Sequence, residues 1–239
     1  MKPTTMQVTG NNTLTPHKSI RLTMDGLSFF QAGAWNHIAF SAQDKQLEQA
    51  TARCMCQKEL WENATNTQIW VQNQFTTVLP YGLLTHQNAL EAFKLHFPEA
   101  NHTDFVVFWQ HIQAFQLTLL FAVPAAQYKL INRLFGAAKW EHHAAQTIEN
   151  SLRQSRIKGE KQVWVTAYNQ HMHLVVANNG QLAFSNHFPI NSQTDAVYFC
   201  ANVYEQFALS QQQTPLYIAG DPTLHNTLKK YITHCYLTN

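Results

Sequence analysis

Ser19-Ile20-Arg21-Leu22-Thr23-Met24-Asp25-Gly26-Leu27-Ser28-Phe29-Phe30 reads as strand, tight turn and strand, and residues 35–40 bring a third strand back. The same design returns about 140 residues later, in Gln162-Val163-Trp164-Val165-Thr166-Ala167-Tyr168-Asn169-Gln170 and the runs 171–177 and 181–188. Asp25-Gly26 between apolar runs is a hairpin signal, because Gly accepts positive φ without a Cβ clash. A hairpin that recurs once in a chain also rich in helical spacings predicts two similar α/β halves.

Working outward, residues 1–18 are polar and read as a loose arm. Residues 44–63 carry a ragged apolar stripe (Leu47, Ala50, Cys54, Leu60) that predicts a helix. Residues 68–79 read as one strand, broken at Asn73 by a bulge or an edge position and ended by Pro80. Residues 85–97 place Ala89, Leu90, Phe93 and Phe97 on one helical face, with Pro98 as the stop. Residues 104–113 and 115–123 predict a strand pair. Pro124 then opens a helix closed by Gly136, since a missing N–H does no harm in a first turn. A short strand at 138–141 precedes a helix over 144–156, and Ile157-Lys158-Gly159-Glu160-Lys161 is the polar joint between halves.

The second half is well punctuated. Asn169-Gln170 and Asn178-Asn179-Gly180 separate its three strands. Ser192 and Asp195 fit a capping box for a helix over 192–209. Residues 215–219 form a short strand, Gly220-Asp221-Pro222 turns the chain, and 223–234 is the last helix. The expected division is an arm over 1–18, one lobe over 19–157 and a second over 160–239.

Composition narrows the function classes. The chain has 239 residues, 16 Lys and Arg against 14 Asp and Glu, and a net charge of +2. That balance lacks the clustered basic footprint of a nucleic-acid binder. Charged residues make up 13% of the chain, against about 25% in ordinary domains, so a partner could cover this surface with little desolvation of ions. No run approaches ~18 consecutive apolar residues, so no membrane insertion is expected. The beginning of the chain does not read as a secretory leader, and four cysteines at unhelpful spacings fit reduced thiols in the cytoplasm.

The run 117–123, then Val123-Pro124-Ala125, a helix, Phe135-Gly136 and a strand at Ala138 resembles the middle of the bacterial actin-like proteins of cell division and pilus assembly. Leu216-Tyr217-Ile218-Ala219-Gly220-Asp221, with Leu224 and Leu228 behind it, is similar to the adenosine motif of that superfamily. Lys18-Ser19-Ile20-Arg21-Leu22, Asp25-Gly26-Leu27-Ser28-Phe29 and Val78-Leu79-Pro80 look like an uncharacterised bacterial family with an actin-like ATPase fold, the domain of unknown function 3822. The resemblance spans the chain from residue 17. It implies an actin-like, ribonuclease H-like α/β fold, with two lobes around a cleft that holds ATP and Mg²⁺ in active members.

In those members both hairpins carry an acid, a Gly and a hydroxyl, because Mg²⁺ needs hard oxygen ligands and phosphates need exposed N–H groups. Here the first hairpin offers Asp25, Gly26 and Ser28. The second offers Thr166 and Asn169, without carboxylate or Gly, and Tyr168 would crowd a phosphate. The adenosine motif keeps Gly220, but Asp221 stands where a second Gly belongs and Pro222 lacks an N–H. The resemblance therefore implies a remnant cleft at Asp25, Gly26, Ser28, Thr166, Asn169, Gly220 and Asp221, with no cofactor expected. The implied function is a non-catalytic or weakly nucleotide-binding protein that acts on a protein partner. A divergent ATPase or kinase using Asp25 and Asp221 is the alternative, and a structural homodimer the third reading.

Other chemistries find less support. His171 and His173 share a strand face, but no spacing among thirteen histidines matches a four-ligand metal pattern. Cys54 and Cys56 would sit about 200° apart on a helix. There is no Gly-x-Ser-x-Gly, and Glu141 beside His142 is the nearest acid–base pair. The six tryptophans, at 35, 61, 70, 109, 140 and 164, are expected mostly in the core.

Overall fold

The computed structural model describes residues 5–8, 18–31, 34–40, 49, 52–56, 67–136, 138–168 and 170–238. They divide into two compact units, Met1–His143 and Ala144–Asn239.

The first unit holds two sheets. One has the order β4-β3-β2-β5-β9, from β2 (Lys18–Thr23), β3 (Gly26–Gln31), β4 (Ala34–Ala39), β5 (Thr67–Val71) and β9 (Lys139–His142). β2, β3 and β4 form an antiparallel meander, while β5 lies parallel to β2 and β9 parallel to β5. Ile20, Leu22, Leu27, Phe29, Ile69 and Val71 are buried, which is the alternation expected of a sheet with one face in a core. The second sheet, β1-β7-β8-β6, is built from β1 (Thr5–Val8), β6 (Thr76–Pro80), β7 (Phe105–Ile112) and β8 (Leu117–Pro124). β8 is buried along seven of its eight residues. Leu120 and Ala122 join a core with Phe93 of α1 (Ala89–His96), and α2 (Ala125–Phe135) also packs against this strand. Covering both faces is what turns β8 into a continuous apolar run.

The second unit holds one sheet, β12-β11-β10-β13-β14. Its strands are β10 (Lys161–Tyr168), β11 (His171–Asn178), β12 (Gln181–Pro189), β13 (Leu216–Ala219) and β14 (Cys235–Thr238). The pairing sense repeats that of the first unit: two antiparallel pairs, then two parallel ones. Val163, Val165, Met172, Leu174, Leu216 and Ile218 fill its core with Ala196, Cys200, Val203 and Tyr204 of α4 (Gln193–Gln206) and Leu224 and Leu228 of α5 (Pro222–Leu228). The expected capping box is formed: Asp195 N–H donates to Ser192 Oγ at 3.2 Å, and Ser192 N–H to Asp195 Oδ2 at 3.0 Å. Helix α3 (His143–Lys158) has buried Ile148 and Leu152, and by compactness all but its first residue belongs to this unit. α3 runs through Lys158, and only residues 159–160 turn the chain from α3 into β10.

Several elements differ from the sequence reading. Residues 68–79 are not one strand. Asn73 Nδ2 donates to Ala122 O at 2.9 Å and Asn73 Oδ1 accepts Phe75 N–H at 2.9 Å, so the chain leaves β5 in one sheet and enters β6 in the other. The polar arm contains β1, paired in parallel with β7. The last helix stops at Leu228, and β14 follows it. The helix expected over 44–63 lies mostly outside the described residues, with helical turns at 52–56. Of the tryptophans, Trp109 and Trp140 are buried and Trp35 is 51% exposed, while Trp61 is outside the described residues.

Candidate functional site

The first hairpin closes on the pair Thr23↔Gly26, so Met24 and Asp25 are its turn residues and Gly26 already belongs to β3. The reason for glycine is therefore not the turn. A Cβ at Gly26 would stand 2.3 Å from Ile38 O and 2.8 Å from His37 Cε1, so only glycine lets β4 approach this closely. The tip is tied down by its own side chains. Thr23 Oγ1 donates to Asp25 Oδ1 at 2.6 Å, and Phe40 N–H donates to Asp25 O at 2.8 Å. Gln127 Nε2 donates to Thr23 O at 3.2 Å and Met24 O at 3.1 Å. Ser28 Oγ lies 2.9 Å from His37 Nδ1 on β4.

Gln127 was missed by the sequence reading, although it had a legible signal. It is a polar residue on the same α2 stripe as Leu130, Ile131 and Leu134, and like them it is buried. A buried amide needs partners, and the two turn carbonyls supply them.

The second hairpin closes on Tyr168↔His171, with the turn at 169–170; Asn169 lies outside the described residues. Matching the two registers puts Tyr168 where Thr23 stands, His171 at Gly26, His173 at Ser28 and His187 at His37. The Ser28–His37 contact thus has a counterpart in the stack of His173 on His187, with ring centroids 4.2 Å apart. Tyr168 packs against His171 and His187, each at 6.2 Å. Its hydroxyl is buried without a hydrogen-bond partner among the described residues, and burial pushes the phenol pKa well above its ordinary value. Burial also lowers the pKa of His171.

Thr166 is buried near the C-terminal end of β10, its Oγ1 3.4 Å from Thr147 Oγ1 on α3. Gly220 follows Ala219, the β13 partner of Thr166. With φ at +95° and Ala167 O only 2.6 Å from where its Cβ would be, Gly220 is a position no other residue fits without strain. Asp221 is the N-cap of α5: Oδ1 accepts the N–H groups of Thr223 at 2.8 Å and Leu224 at 3.2 Å, and Pro222 occupies the first helical position. The second unit therefore brings Thr166, Gly220 and Asp221 together at one end of β10 and β13. Asp25, Gly26 and Ser28 gather at the hairpin of the first unit.

ATP with Mg²⁺ fits these side chains poorly. The Asp221 carboxylate serves a helix, the Ser28 hydroxyl engages a histidine, and a bulky tyrosine ends β10. Among the described residues no three His, Cys, Asp or Glu side chains gather as a metal site, and no helix is long and apolar enough to cross a membrane.

A solved structure from Bacteroides thetaiotaomicron, described as a protein with an actin-like ATPase fold and unknown function, matches with a TM-score of 0.74 at 19% identity. The match covers 93% of this chain and 90% of that one. A structure of the PilM-PilN type IV pilus biogenesis complex matches with a TM-score of 0.56 at 9% identity, over 94% and 88% of the two chains. No curated protein matches. These likenesses show the actin-like ATPase fold that the repeated hairpins implied. The family model described as protein of unknown function (DUF3822) matches residues 10–235, and the chain belongs to that family.

Proposed function

We propose that this chain is a non-catalytic or weakly nucleotide-binding actin-like protein that acts in the cytoplasm by binding another protein. The observation that carries the proposal is the closing pair of the second hairpin. A phosphate-binding hairpin needs small residues, so that phosphate oxygens can reach backbone N–H groups, and an acid to hold the metal. Here Tyr168 and His171 form the closing pair where the first hairpin has Thr23 and Gly26, Gln170 stands where Asp25 does, and the Tyr168 ring packs against two imidazoles. The role of Asp221 as a helix cap supports the same reading, because its carboxylate already serves two N–H groups. The PilM-PilN complex adds the precedent that a chain of this fold works with a protein partner.

Titration calorimetry of the full chain with Mg·ATP up to the millimolar range tests the claim. The expected trace shows at most weak, millimolar-range heat above dilution and no phosphate release. A saturable micromolar isotherm that Asp25→Ala or Gly220→Val abolishes would restore the ATPase or kinase reading. Light scattering separates a homodimer from a monomer that binds something else.

A further inference from the structure

One cavity, of about 560 Å³, opens beside the C-terminal end of α1 within the first unit. Its apolar lining is Phe75, Phe97, Phe105, Pro98 and Ala100. Phe75 packs on Phe105 at 4.6 Å and on Phe97 at 5.8 Å, so the floor is an aromatic cluster at the edge of the core built around Phe93. A space of this size takes one or two large side chains. Phe75, Phe97 and Phe105 stay half-covered where they line it.

The rim adds a chemical requirement. Among the residues lining the cavity are Glu99 and His96, but no Lys or Arg. His96 Nδ1 lies 2.9 Å from Ala92 O, so that nitrogen carries the proton and Nε2 is left as an acceptor. Asn101 donates to Asp104 Oδ2 at 2.8 Å, which tethers a second carboxylate on that side. The nearest cation along α1, Lys94, is paired with Glu91 at 2.7 Å. The rim thus offers acceptors and negative charge, and its occupant must bring donors and positive charge.

We propose that this cavity docks an aromatic anchor residue flanked by Lys or Arg on an extended segment of a partner polypeptide. The anchor stacks on the Phe75, Phe97 and Phe105 rings, and the basic flank meets Glu99 and Asp104. The inference rests on the protein-binding reading above and names the chemistry of the partner. Anchors of this kind, an aromatic ring in a pocket with charge at the rim, dominate many interfaces.

The probes are acetyl-Lys-Trp-Lys-amide, acetyl-Glu-Trp-Glu-amide and N-acetyl-tryptophanamide, titrated into the full ¹⁵N-labelled chain. The expected result is amide shifts confined to Phe75, His96, Phe97, residues 99–101 and Phe105. The lysine-flanked peptide should bind roughly fivefold more tightly than the glutamate-flanked one at low salt, the difference shrinking as salt rises. Glu99→Lys, which alters only an exposed rim charge, should remove most of that preference. Ala100→Trp, which fills the cavity, should abolish binding of all three. Shifts elsewhere, no shifts, or equal affinity for the two charged peptides would overturn the proposal. So would N-acetyl-tryptophanamide binding as tightly as the lysine peptide, an outcome that makes this a small-molecule cavity. A natural partner retained equally by wild type and both variants would sink the cavity as its dock and leave the protein-binding reading intact.

Discussion

Replacing Asp221 with Ala and with Asn separates its two candidate roles, because a helix cap and a metal ligand respond differently. Pro222 has no N–H, and His225 N–H already donates to Asp221 O at 3.1 Å. The first turn of α5 therefore has two remaining donors, Thr223 and Leu224, and the Asp221 carboxylate takes both. Water can replace it at Thr223, which is exposed, but poorly at Leu224, which is 1% exposed. Losing the cap should cost about 1–2 kcal/mol, the upper half of the usual range, or roughly a five- to thirtyfold smaller folding constant. Asn keeps an acceptor and loses only its charge against the helix dipole, about 0.5 kcal/mol. Urea unfolding followed by circular dichroism, with hydrogen exchange at Leu224, reads both. If Asp221→Asn proves as damaging as Asp221→Ala, the capping argument fails. It fails equally if neither variant loses stability while both lose Mg·ATP heat.

Tyr168→Phe removes a buried hydroxyl that has no partner among the described residues, and should leave stability unchanged or raise it by up to about 1 kcal/mol in the same urea assay. Gly26→Ala drives a Cβ into Ile38 O at 2.3 Å, and should cost more than about 2 kcal/mol, with exchange protection lost first along β4. His143 is held down at about 4 by burial and by the charge of Arg21. The unfolded chain takes up a proton below its ordinary 6.5 that the folded chain refuses, so stability falls as pH drops from 6.5 to 4. Partial solvent contact limits the loss to about 1–2 kcal/mol, and His143→Gln should flatten that limb of a pH-dependent melting series. Burial lifts the thiols of Cys54 and Cys235 to about 11 and that of Cys200 to about 12, while Cys56 is exposed. A thiol titration at pH 8 should therefore find one fast cysteine in the native protein and four after denaturation.

The second unit was the most legible part of the chain, since turns bound nearly every element. Strands expected at 162–169, 171–177 and 181–188 fall within a residue or two of β10, β11 and β12. The elements that escaped depend on distant partners. β14 is four residues long and among the described residues pairs only with β13, in the register Leu216↔Cys235, and no Gly or Pro between 223 and 234 marks where α5 stops. β1 is likewise short and is held by β7, about a hundred residues away. Asn73 reads as a bulge or an edge position because a local window cannot see Ala122 O, the acceptor that makes it a crossing between sheets.

The candidate site was less legible than the fold for a related reason. Sheet order depends on one buried face, and residues such as Ile20, Leu22, Val163 and Val165 satisfy it whatever occupies the alternate positions. Candidate residues such as Ser28 and Thr166 lie on those alternate positions, where strand periodicity imposes no identity, and Asp25, Gly220 and Asp221 lie in turns and at a helix cap. One unit can therefore place Arg21, Thr23, Ser28 and His37 there, and the other Thr166, Tyr168, His173 and His187, on identical pairing. Asp25-Gly26 is an example: the dipeptide reads as the turn itself, yet the turn residues are Met24 and Asp25, Gly26 is set by the closeness of β4, and the Asp25 carboxylate accepts from Thr23. The two hairpins share a pairing register and differ in the side chains placed on it.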